Sequence, residues 1–82
     1  MMEYMIWFDN NGKKSFSQRV NEGADYFERK YGRRAGVCLV SPKDFNPNTI
    51  LEREGERIRI VADSRVLINH FWLGEEVNQD AN

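Results

Sequence analysis

One cysteine, one histidine and two prolines occur in the 82 residues, and these scarcities set the first limits. Cys38 alone cannot form an intrachain disulfide, and a structural zinc site needs four ligands. No metal and no cofactor is therefore expected. A domain this small without disulfides belongs to a reducing compartment, so the expected location is the cytoplasm. An excess of one charge is also missing. Twelve Lys and Arg stand against thirteen Asp and Glu, for a formal net charge of −1. No global field draws the chain to nucleic acid or to an acidic membrane surface. Long apolar runs are absent. Met1–Phe8 is apolar but interrupted by Glu3, lacks a basic flank, and is too short for a signal peptide or a span, so no membrane role is expected. The phosphate-binding patterns GxGxxG and GxxxxGK[ST] do not occur. Gly12-Lys13-Lys14-Ser15 lacks the upstream glycine and carries one lysine too many.

What is present is the composition of a small folded domain. The apolar fraction is 40%, with two Trp, three Tyr and five Phe, which argues against disorder. A chain of this length buries only about 60% of its unfolded surface, and its stability should be roughly 4–12 kcal/mol. A deep cleft between lobes does not fit. Any site lies on one face, at a sheet edge or at a subunit boundary.

The clearest element is a helix. Ser15 precedes Gln18 at the capping-box spacing, and Phe16, Val20, Ala24, Phe27 and Tyr31 form one apolar stripe. Gly32 suits the left-handed position that ends it. Gly23 weakens its middle and suits a close approach to the sheet. Before the helix, Glu3 to Phe8 reads as a strand, with Tyr4, Ile6 and Phe8 on one face and Met5 and Trp7 on the other. Asp9-Asn10-Asn11-Gly12 reads as the connecting turn. After it, Val37 to Val40 reads as a buried strand, which makes a βαβ unit with parallel strands. Ser41-Pro42 opens a short turn, and Glu54-Gly55 signals another. Ile58 and Ile60 alternate with Arg57 and Arg59. Arg57–Ala62 and Val66–Ile68 are expected to pair as a C-terminal β-hairpin around Asp63-Ser64-Arg65. Phe71, Trp72 and Leu73 close the ordered part.

The expected fold is a two-layer α+β domain over residues 1–74, one long amphipathic helix on a mixed sheet of three to five strands, with a polar, frayed tail at 75–82. One helix covers one face of such a sheet, yet the strands carry apolar groups on both. That predicts a homodimer or another protein partner on the face away from the helix, with Trp7, Met5, Phe71 and Trp72 as interface candidates. The competing expectation is an internal cover, in which Ser41–Glu54 folds back and Phe45, Ile50 and Leu51 fill the face.

Two further surfaces carry alternative readings. Arg29, Lys30, Arg33 and Arg34 with Tyr31 make a basic, aromatic cluster, the composition of a phosphate-contacting, base-stacking surface. Cations are also what a helix C-terminus favours, so nucleic-acid binding is the weaker expectation. His70, the only histidine, is a ligand or catalytic candidate at a subunit boundary, although no acid stands at a motif spacing from it. Beside Phe71 and Trp72 it reads more simply as a half-buried strand-end histidine. Cys38, inside an apolar run, reads as a protonated, inert thiol. No catalytic residue is assigned.

Trp7-Phe8-Asp9, Tyr31-Gly32, Cys38-Leu39-Val40 with Ser41-Pro42, and His70-Phe71-Trp72-Leu73-Gly74 together give a pattern that resembles small conserved bacterial proteins of unknown function. The resemblance spans the chain and implies no activity and no functional residue.

Overall fold

The computed structural model describes residues 3–75. Tyr4–Phe8 forms β1 and Phe16–Tyr31 forms α1. Val37–Val40, Leu51–Arg53, Glu56–Ala62 and His70–Gly74 follow as β2, β3, β4 and β5. The result is one helix on a five-stranded mixed sheet, an α+β fold.

Local chemistry sets the ends of α1. The backbone N–H of Gln18 donates to Ser15 Oγ at 3.0 Å. The Gln18 side chain does not close the box and reaches forward to Glu22 at 3.3 Å instead. Gly32 sits at φ 68° and its N–H donates to Glu28 O at 2.8 Å, satisfying one of the last helical carbonyls. Val20, Ala24 and Phe27 are buried along the stripe, Phe16 is partly buried, and Tyr31 emerges at its end.

The strand order is β1-β5-β2-β4-β3. β2 and β4 are parallel, and β5 is antiparallel to both of its neighbours, β1 and β2. β1 and β2 are thus parallel, as the βαβ reading requires, with β5 filling the slot between them. The hairpin differs from the sequence expectation. It joins β3 to β4 through Glu54 and Gly55, whose φ of 53° and 82° suit a tight two-residue turn. Val66–Ile68 forms no strand. The 63–69 segment makes successive turns, with Val66 N–H donating to Asp63 O and His70 N–H to Leu67 O. The reason is topological: β2 and β3 already occupy both sides of β4, so the chain must cross to the far side of β2 before it pairs again.

The helix covers one face of the sheet. Met5, Cys38, Val40, Leu51, Ile58, Phe71 and Leu73 meet Val20, Ala24 and Phe27 there, with Trp7, Phe45 and Ile60 packed around them. Gly23 permits the closest approach. A Cβ at that position would stand 2.6 Å from Leu73 Cδ1 and 2.9 Å from Trp7 Cδ1. Gly23→Ala would gain about 1 kcal/mol of helix propensity. It would also drive a methyl group into a buried leucine and an indole, at a cost of about 1–3 kcal/mol. The expected outcome is net destabilisation, read as a lower urea midpoint. A raised midpoint would mean that the helix can ride outward without loss.

Of the tail expected at 75–82, residues 76–82 lie outside the described residues. Glu75 is exposed, and its carboxylate stands 3.5 Å from Arg33 Nε.

Candidate interaction surface

Strand parity divides the candidate residues between two environments. Opposite the helix, β1 places Tyr4, Ile6 and Phe8 across from Gly74, Trp72 and His70 of β5. Val37 and Leu39 of β2 and Val61 of β4 continue that face inward. Val66 from the 63–69 crossover is buried in the same cluster, which Tyr4, Trp72 and Val61 flank. Arg65 extends this cover. Its guanidinium lies over the Trp72 ring, with 5.3 Å between the guanidinium carbon and the ring centroid. Its own partner is Asp63, at 2.6 Å, and that bond holds the Asp63 carboxyl down at about 2.

The cover is partial. Ile6 and Phe8 remain 58% and 56% exposed. Leu67 and Ile68, in the crossover, are 68% and 47% exposed. The crossover ends beside β1, since Asp9 N–H donates to Asn69 O at 3.0 Å. His70 is half-buried here. Its ring lies 4.8 Å from that of Phe8, and Nδ1 is 3.0 Å from Ile68 O. Among the described residues no carboxylate bonds to it, and its ring partner is the Ile68 carbonyl.

Three of the four interface candidates lie elsewhere. Met5 and Phe71 are buried under the helix, and Trp7 packs there against Tyr26 at 5.3 Å. Only Trp72 is on the open face. The physical cause is Gly23, which leaves a gap in α1 that the Trp7 indole fills. The internal cover expected from Ser41–Glu54 does not form either. Phe45 and Leu51 pack on the helix side and Ile50 is exposed. The residues missed by sequence reasoning are Ile6 and Phe8, which lie on the face of β1 opposite Trp7, and Leu67 and Ile68, hidden by their resemblance to a strand.

The basic cluster is partly neutralised. Arg34 reaches Glu56 at 3.2 Å and Glu54 at 3.6 Å, and donates to Arg53 O at 2.9 Å. Arg33 pairs with Glu75, and Lys30 lies over the Tyr31 ring. Nearby, Arg53 ties β3 to α1 through Asp25 and Glu28 at 2.9 and 3.0 Å.

Cys38 is fully buried, and burial pushes its thiol up to about 12. In an unfolded chain a cysteine ionises near 8.5. The folded value is the higher one, so the stability this thiol contributes is intact below about pH 8.5. It is lost as pH rises towards 12, at about 1.4 kcal/mol per pH unit. Urea midpoints should fall from pH 8.5 to 10.5, and Cys38→Ala should flatten that slope. Equal slopes in the two proteins would show that the thiol ionises without unfolding.

Among the described residues no group of His, Cys, Asp and Glu is placed to hold a metal ion, and no helix is long and apolar enough to cross a membrane. Compared with protein-family models, curated proteins and solved structures, the chain matches none.

Proposed function

We propose that the protein is an interaction module that docks a second polypeptide, its own copy in the first place, through the β1 end of the open face of its sheet. The observation that carries this reading is the exposure of Ile6, Phe8, Leu67 and Ile68 at one end of that face. Apolar surface withdrawn from water is worth about 25 cal/mol per Å², so several such side chains left wet favour association. A cytoplasmic site of action fits the single, buried thiol. A nucleic-acid role for Arg29, Lys30, Arg33 and Arg34 draws less support, because acids already engage Arg33 and Arg34.

Light scattering across a dilution series tests the reading. The mass of the wild type should rise with concentration. Phe8→Glu combined with Leu67→Glu should remain monomeric with an unchanged urea midpoint, since both side chains are exposed. A wild type that stays monomeric throughout, and retains no protein from a cell extract that the double variant loses, would overturn the proposal.

A further inference from the structure

Among the described residues, the rim of the open face is a bare strand edge: β1 is the outermost strand of the sheet and pairs only with β5. Asp9 N–H points inward to Asn69 O. In an antiparallel ladder the direction alternates. Trp7 and Met5 therefore also face β5, and the N–H and C=O groups of Tyr4, Ile6 and Phe8 face away from the sheet. The bond from Gly36 N–H to Gly74 O agrees, because it turns Gly74, the residue across from Tyr4, towards β2. Among the described residues no other chain segment bonds to those outward groups.

Edge strands are normally blunted by brevity, charge or proline. The other edge of this sheet obeys that rule: β3 has three residues and carries Glu52 and Arg53. β1 does not. Its sequence, YMIWF, has no charge and no proline over five residues. It is also flanked by apolar groups on both sides. Ile6 and Phe8 lie below it, and Tyr26, 46% exposed, lies against Trp7 above it.

Resting on the interaction reading above, we infer that the partner is a second copy of this chain, joined by antiparallel pairing of β1 with β1 about a two-fold axis at Ile6. The argument is self-complementarity. In this register Ile6 faces Ile6 of the second copy and Tyr4 faces its Phe8, so all three outward residues exchange bonds. Registers centred on Met5 or Trp7 leave one of the three unpaired. The seam is uncharged on both sides and carries no electrostatic barrier. The one like-charge approach, Glu3 opposite Asp9 of the second copy, falls where Lys14 stands 3.5 Å from Asp9. The two sheets become one, with both helices on one side and both open faces on the other. A five-residue seam is small beside the roughly 800 Å² per partner of a standard interface. Ile6, Phe8 and Tyr26 must contribute, and the dimer should be weak and concentration-dependent.

Cysteine trapping in the full-length chain tests the register. Directly bonded antiparallel residues have Cα atoms about 5.5 Å apart, within disulfide range. Ile6→Cys should give a disulfide-linked dimer under mild oxidation. Phe8→Cys should not, because the two copies of residue 8 lie four residues apart along the seam, about 14 Å. Native Cys38 is buried and does not compete. Ile6→Pro should abolish the concentration-dependent mass, since the N–H it removes is one that faces away from β5. Trapping through residue 8, or through neither position in a protein whose mass still rises with concentration, would overturn the edge pairing while leaving the open-face reading standing. A wild type monomeric at every concentration would overturn both forms of self-association.

Discussion

Phe27→Ala is expected to cost about 3–5 kcal/mol, which threatens folding in a domain whose whole stability should be about 4–12 kcal/mol. Phe27 is 3% exposed, lies in the cluster that joins Val20 and Ala24 to the sheet, and packs against Tyr31 with 4.8 Å between ring centroids. Alanine leaves a cavity that the flanking strands cannot close, because their register is pinned on both sides by neighbouring strands. The check is a urea titration. The midpoint should fall sharply with the slope unchanged if the denatured state is unaffected. An unchanged midpoint would mean that α1 does not hold the core.

That prediction was available from sequence, because everything about α1 is local. The spacing of Phe16, Val20, Ala24 and Phe27 sets the face, Ser15 starts the helix and Gly32 ends it. β1 and β2 were legible for the same reason, since alternation and a continuous apolar run are local signals. The hairpin was not. Val66-Leu67-Ile68 has the β-propensity of a strand, and what denies it that role is distant: β4 has no free side. Glu54-Gly55 was recognised as a turn, but pairing across it depended on a strand of only three residues.

The interaction surface shows the same divide. The alternation of β1 separated Tyr4, Ile6 and Phe8 from Met5 and Trp7 correctly. Which set the helix covers is a tertiary fact. Tryptophan's frequency at interfaces argued for Trp7 outside, whereas Gly23, the gap in the stripe, was the sequence signal for Trp7 inside. The 63–69 crossover supplies both the partial cover, through Val66 and Arg65, and two of the exposed groups.

Phe71→Ala separates the two environments. As an interface residue, Phe71 would be dispensable to the monomer, and its loss would weaken association alone. In the structure it is fully buried on the interior strand β5, across from Trp7 on one side and Val40 on the other. The Phe16 ring meets it edge-on at 5.8 Å between centroids, and the Arg19 guanidinium carbon lies 5.6 Å from its centroid. Removing the ring empties the space under the first turn of α1. It also strips the apolar support from a guanidinium that donates to Asp9 O and Asn69 Oδ1, both at 3.2 Å. The expected loss is about 3–5 kcal/mol in the monomer. Phe8→Ala, at the adjacent pair of the same ladder but 56% exposed, should shift the urea midpoint by less than about 0.5 kcal/mol equivalent. It should instead lower the concentration-dependent mass. The reverse pattern, with Phe71→Ala stable but monomeric and Phe8→Ala unfolded, would exchange the two faces of the sheet and with them the surface assigned to partner binding.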